Sequence, residues 1–254
     1  MKKSKGKKPF WTEERIGLLL ITPNYIIYFL FILLPVIWVI YLSFTDYNMI
    51  KDPHWIGLGN YSRLFSDETF KMSIFNTLYY SVLTIFPSMA LGLIIAVFLN
   101  IKSIKGRAIL RAAYFMPNVI SMVAAAMVWL WIYNPTQGLL NNTVVKFGIQ
   151  PQDWLFNSTF AMPAIIVMGV WTGMGYNMII YLSGLQIIPE DLYEAATIDG
   201  ATKLQQFFKI TFPMLQPITF FLFVMACIKS FQIFDQIYIM TNGGPANATT
   251  TIVH

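Results

Sequence analysis

Five apolar stretches alternate with shorter polar segments along the chain. They run from about Tyr25 to Phe44, Ile74 to Leu99, Ala112 to Tyr133, Met162 to Ile188 and Met214 to Ile239. A bilayer core about 30 Å thick needs about 20 apolar residues of helix, so each stretch predicts a membrane span. Ile16–Ile21 reads as an approach helix to the first. Pro35, Pro87, Pro163 and Pro217 fall inside these stretches or at their mouths. A packed helical bundle tolerates them because neighbours satisfy the freed backbone groups. Kinks are expected there.

Composition supports the same class. The 254 residues are 56% hydrophobic and 11% charged, with mean hydropathy +0.58. A soluble domain is roughly 45–50% apolar and 25% charged. The single cysteine, Cys227, excludes an internal disulfide framework and a cysteine-rich metal site. The two histidines, His54 and His254, lie far apart in sequence, so no metal site is expected. The spans hold no His/Asp cluster, two-aspartate arrangement or serine–histidine pair, which argues against an intramembrane enzyme. Asp235 is the one acid within a predicted span, which counts against an ion-coupled secondary transporter.

The net charge of +5 is placed at membrane flanks, not in a nucleic-acid patch. Lys2, Lys3, Lys5, Lys7, Lys8 and Arg15 precede the first apolar run. That run is too long for a secretory signal and lacks a small-residue cleavage site, so a retained first helix is expected. With the N-terminus inside, segments 1–15, 100–111 and 189–213 carry twelve basic residues. The outer segments carry four: Lys51, Arg63, Lys71 and Lys146. This excess predicts a cytoplasmic N-terminus. The expected organisation is a basic N-terminus, 1–15, followed by a transmembrane region, 16–254, that includes a cytoplasmic loop, 189–213. Trp129, Trp131, Tyr133 and Trp154 are expected to anchor the outer interface.

The loop "PEDLYEAATIDGATKLQQFFKITFPML" concentrates polar residues between the fourth and fifth stretches. Pro189 suits a first helical turn, and Glu190 and Asp191 complement the positive end of the helix dipole. The helix should run to Ile198 and stop at Gly200. Thr202 and Gln205 have capping-box spacing for a second helix. Phe207, Phe208, Ile210 and Phe212 give it apolar surface, and Pro213 marks the entry to the last stretch. Capping alone describes an interfacial helix pair that connects two spans.

The spacing adds more. Glu194-Ala195-Ala196, then Gly200, then Ile210-x-x-Pro213 resembles the EAA loop of permease subunits of binding-protein-dependent ABC importers. "FQIFDQIYIMTNGGP" from Phe231, Asn60-Tyr61, "FMPNVIS" from Phe115 and the basic N-terminal helix also resemble the carbohydrate-uptake group, of maltose and glycerol-phosphate type. The resemblance covers nearly the whole chain. It implies an all-α polytopic bundle with the type I ABC importer permease fold, in a bacterial cytoplasmic membrane. A sixth span is expected after Gly243-Gly244-Pro245.

The resemblance also implies partners. These are a second permease subunit of different sequence, two cytoplasmic ATP-binding subunits, an extracytoplasmic solute-binding protein, a sugar substrate and the lipid bilayer. The EAA loop would dock in the ATPase through Glu194, Ala195, Ala196, Asp199, Gly200, Ile210 and Pro213. No Walker sequence is present, so ATP and Mg belong to the partner ATPase and this chain is expected to bind no cofactor. No catalytic residue or metal ligand is expected.

Gly169, Gly173 and Tyr176 share one helix face at i, i+4 and i+7, with Thr172 beside them. Ala226, Ser230 and Ile233 do the same in the fifth stretch, flanked by Lys229 and Gln236. The resemblance matches these positions to sugar contacts of maltose-type permeases. Close helix packing is the other reading of Gly169 and Gly173. Three arrangements are open to Lys229: reaching outward to the interface, pairing with Asp235 or a partner, or meeting a substrate phosphate. The expected solute is a sugar or oligosaccharide, with a phosphorylated polyol as the alternative.

Overall fold

The computed structural model describes residues 12–254. The lysine-rich start of the chain lies outside them. Two compact units divide at Asp67 and Glu68.

The first unit is built on one helix, α1, Glu13–Ser43. It begins twelve residues before the predicted span because Ile16–Ile21 is continuous with it. Every residue from Glu13 to Tyr41 is exposed within this chain. A helix apolar on all sides requires lipid or protein around it. Its C-terminal end is knitted to a short helix, α2, Gly59–Ser66. Asn60 Nδ2 donates to the carbonyls of Ser43 and Thr45 at 3.0 and 2.9 Å. Tyr61 Oη and Ser43 Oγ share a hydrogen bond of 2.8 Å. The Asn60-Tyr61 pair is thus the fastening of this end.

The second unit starts with α3, Glu68–Asn100. Two helices follow: α4, Arg107–Val119, and α5, Met122–Ile132. A short α6, Leu139–Val144, leads to the central helix α7, Ala161–Leu185. Next come α8, Glu190–Ile198, and α9, Lys203–Met214. The last helices are α10, Gln216–Phe231, and α11, Asp235–Met240. No strand occurs among the described residues beyond an isolated bridge between Thr45 and Trp55. Helices α1, α3 and α7 are each long and apolar enough to cross a membrane. The pairs α4–α5 and α9–α10 bring the number to five if each bent pair is one span.

Three expectations are corrected here. The third stretch is not one straight helix: α4 and α5 meet at 99°. Ile120 and Ser121 adopt extended backbone at that corner, with ψ of 141° and 134°. The fifth stretch is broken too. Gln232 leaves helical geometry, Phe234 has φ −137°, and α11 restarts at Asp235. Thr251 Oγ1 donates to the Ile233 carbonyl at 3.3 Å, which satisfies a group the break sets free. Third, only Trp131 of the expected interface anchors is exposed. Tyr133 is buried and donates to the Ala164 carbonyl at 3.0 Å. Trp129 packs edge-on to Trp171, and Trp154 Nε1 donates to Asn141 Oδ1 at 2.8 Å. Tyr133 and Trp154 thus place their polar atoms on partners inside the protein.

Prolines explain two local widenings. Phe29–Leu33 and Phe207–Thr211 are π-helical, and each ends two residues before a proline, Pro35 and Pro213. A proline lacks the N–H for the regular ladder, and its ring presses on the carbonyl four residues back. Widening to an i→i−5 bond, as from Leu34 N to Phe29 O, relieves that crowding.

The unit is held by α3 against α7. A Cβ at Gly92 would meet the Asn177 side chain at 2.5 Å, and one at Gly175 would strike the Tyr114 carbonyl of α4. Lipid is as apolar as leucine, so such close approach and buried polar contacts carry much of the association. Asn177 Nδ2 donates to Ser88 Oγ at 3.2 Å across this interface. Buried side chains form two layers. One gathers Ile165, Met168 and Ile237; the other gathers Leu99, Met178, Leu215 and Leu222.

Candidate functional site

A cavity of about 450 Å³ lies where α3, α7 and α10 face one another. It draws on both layers, with Tyr80 from one and Ile85 from the other. All eight residues singled out along the two sequence faces line it: Gly169, Thr172, Gly173, Tyr176, Ala226, Lys229, Ser230 and Ile233. Ile233 does so from the break between α10 and α11, not from a continuous helix face. Close packing and cavity lining coincide at these two glycines. A Cβ at Gly169 would sit 2.5 Å from Tyr80 Oη, and one at Gly173 would sit 3.2 Å from Ser88 Cβ, while both glycines line the cavity.

The hydroxyls in the wall are oriented by their own helices. Thr172 Oγ1 donates to the Gly169 carbonyl at 3.0 Å, and Ser230 Oγ to the Cys227 carbonyl at 2.9 Å. With its hydrogen committed, each oxygen offers lone pairs to a ligand. Lys229 Nζ stands 4.7 Å from the centroid of the Tyr176 ring, within cation–π range. It makes no ion pair with Asp235, which lines the same cavity from the start of α11. Of the three arrangements open to Lys229, the pair with Asp235 is therefore not formed among the described residues.

The sequence reading left out part of the wall. Tyr80, Thr84 and Ser88 line the cavity from α3. Their spacing of four on an otherwise apolar helix was the available signal. Gln232 and Asp235 enter through the break, which no periodicity marks.

At the other end, α8 and α9 form the predicted helix pair. Pro189 takes the N-cap, one position before the expected first turn. Gly200 has φ +78°, and the turn closes with Ala201 N to Ala196 O at 2.8 Å and Gly200 N to Thr197 O at 3.1 Å. That double bond is the Schellman arrangement, which favours glycine. Thr202 and Gln205 make the reciprocal capping box. Gln206 Nε2 donates to Thr197 Oγ1 at 2.8 Å, and Tyr193 Oη bonds Thr211 Oγ1 at 2.9 Å. Glu194, Ala195, Asp199 and Gly200 are exposed, Ala196 is half-buried, and Pro213 is exposed at the approach to α10. Ile210 packs against the layer of Leu99, Met178, Leu215 and Leu222 instead. Ile198 is 87% exposed at the end of α8, an apolar surface that the capping argument overlooked.

Residues 88–253 match the family described as "Binding-protein-dependent transport system inner membrane component". The chain belongs to this family. Trehalose/maltose transport system permease protein MalF of Thermococcus litoralis is 36% identical over 95% of this chain and 82% of its own length. Arabinooligosaccharides transport system permease protein AraP of Bacillus subtilis is 32% identical over 99% of this chain and 80% of its own. sn-Glycerol-3-phosphate transport system permease protein UgpA of Agrobacterium fabrum is 35% identical over 93% and 80%. A crystal structure of a bacterial alginate ABC transporter in complex with alginate pentasaccharide-bound periplasmic protein contains a chain of similar fold. The TM-score is 0.80 at 26% identity, covering 93% of this chain and 80% of that one. This permease therefore has the type I ABC importer fold and acts as a membrane-spanning transport subunit, an inner membrane component in its family's terms.

Proposed function

We propose that this permease forms half of a path for a sugar or oligosaccharide, handed over by an extracytoplasmic binding protein and driven by ATP. The other half comes from a second permease subunit of different sequence. Two cytoplasmic ATPase subunits hold the ATP and Mg. The N-terminus lies in the cytoplasm, so the α8–α9 pair faces those subunits.

One observation carries this reading. A single run of chain, Lys203–Phe231, starts in the exposed helix pair and ends in the cavity wall. Glu194 offers a charge to a basic partner residue. Ala195 and Ala196 allow close approach, and Gly200 sets the corner. Ile210 and Pro213 tie α9 to the layer of Leu215 and Leu222 and to α10, so displacement of the pair moves the wall that carries Ala226, Lys229 and Ser230. Oriented hydroxyl acceptors at Thr172 and Ser230 suit a solute rich in hydroxyl donors. The relatives named above belong to trehalose/maltose, arabinooligosaccharide and glycerol-phosphate transport systems.

The test is ATP-dependent uptake by the assembled importer in proteoliposomes. Glu194→Ala and Gly200→Pro should insert normally and lower uptake at least tenfold, with ATP hydrolysis no longer stimulated by the loaded binding protein. Wild-type uptake by both variants would remove the coupling role from α8.

A further inference from the structure

We propose that the transported solute carries an anionic group, a carboxylate or a phosphate, that Lys229 receives in the cavity. The inference rests on the importer reading of this cavity and names the solute class more narrowly.

Lys229 lies thirteen residues beyond Gln216, roughly 20 Å along α10 at 1.5 Å per residue. An ammonium at such depth is costly unless something answers its charge. Within the described residues nothing does so fully. No carboxylate comes within 4.0 Å of it. The Tyr176 ring at 4.7 Å attracts the cation without neutralising it. The last turn of α10 adds a favourable dipole of the same limited kind. Both features hold the ammonium in place and leave its charge available.

The position faces a ligand-sized space. About 450 Å³ falls within the range of small-molecule sites, roughly 300–1,000 Å³. Lys229 is exposed to that space, and Tyr176, which steadies it, is itself packed against the layer of Met178 and Leu222. The neighbouring Thr172 and Ser230 hydroxyls donate to backbone carbonyls, so they present acceptors rather than donors to the cavity. Asp235 would repel an anion. Lys229 is thus the wall's cationic donor, and Asp235, with its lone pairs, is suited to the solute's hydroxyls. An anionic group beside several hydroxyls fits both.

Three labelled probes separate the possibilities in proteoliposomes that hold the complete importer and its binding protein: alginate trisaccharide, sn-glycerol 3-phosphate and maltotriose. Uptake of one acidic probe, a tenfold or greater loss with Lys229→Gln, and retention of at least half the rate with Lys229→Arg would uphold the proposal. The acidic probe that succeeds identifies carboxylate or phosphate as the source. Preference for maltotriose, with Lys229→Gln within twofold of wild type, would overturn the proposal and leave the importer reading standing. Loss of assembly with the second permease in Lys229→Gln, restored by Lys229→Arg, would overturn it in favour of an ion pair between subunits. Acidic uptake that needs no ATP and still falls with Lys229→Gln would uphold Lys229 and overturn the importer reading.

Discussion

Gln206 reaches across the Gly200 corner and donates to Thr197 at 2.8 Å, joining α8 and α9 side chain to side chain. Gln206 is buried and Thr197 is exposed, so the bond draws the end of α8 onto the base of α9. Gln206→Leu keeps the volume and removes the bond. Uptake is expected to fall three- to tenfold while membrane insertion and amount of protein stay at wild-type levels, as measured by transport per assembled complex.

Gly200 and Thr202 hold the corner by different means. Gly200→Ala places a side chain at φ +78°, a left-handed conformation that costs about 1–2 kcal/mol. Thr202→Ala removes the cap at a cost of about 1 kcal/mol. Hydrogen exchange over 199–206 should rise in both, and the double variant should show more exchange than either.

The glycines of α7 should rank by what opposes them. Gly175→Ala drives a methyl into the Tyr114 backbone carbonyl, which cannot swing aside. Gly169→Ala meets the far end of the Tyr80 side chain, and Gly173→Ala meets Ser88 at 3.2 Å. Overpacking costs typically 1–3 kcal/mol. Thermal midpoints in detergent should fall in the order Gly175→Ala most, Gly169→Ala next, Gly173→Ala least.

Asn76 fixes the segment after α11 by donating to the carbonyls of Asn247 and Thr250 at 3.0 and 2.9 Å. Asn76→Ala removes both bonds, worth about 0.5–1.5 kcal/mol each, while the Asn247 carbonyl keeps the Thr250 N–H at 3.2 Å. Limited proteolysis within 241–254 should speed up severalfold.

Lys102 and Glu190 meet at 2.6 Å, yet their side chains are 79% and 69% exposed. Exposed ion pairs contribute about 0–1 kcal/mol. Lys102→Ala should leave the thermal midpoint and uptake within error of wild type, and added salt should change neither.

Much of this arrangement was legible from residues 74–99, 162–188 and 189–213. Long apolar runs locate α3 and α7, and cap chemistry at Gly200, Thr202 and Gln205 is local enough to read directly. The breaks at 120–121 and 232–234 were not. Hydropathy sums composition along a window and is blind to a backbone that turns between equally apolar residues. The second break depends on Thr251, eighteen residues further along the chain, bonding the Ile233 carbonyl. The interface anchors failed for a related reason: Tyr133 and Trp154 have polar atoms whose partners, Ala164 and Asn141, become visible only once the chain is folded. The cavity faces were readable as periodic small and polar residues, while the stripe from Tyr80 to Ser88 was hidden among apolar neighbours.

The break after Phe231 divides the fifth span between two masters. Its second part, α11 with the segment that follows, is moored to α3: Asn76 holds residues 247 and 250, and Thr77 Oγ1 receives the Ile252 N–H at 3.1 Å. Its first part, α10, continues from the α8–α9 pair. Under the proposed coupling, a stroke delivered at α8 would reach Lys229 and Ser230 through α10 and be spent at Gln232–Phe234. The moored part would then serve as a doorframe and α10 as the door.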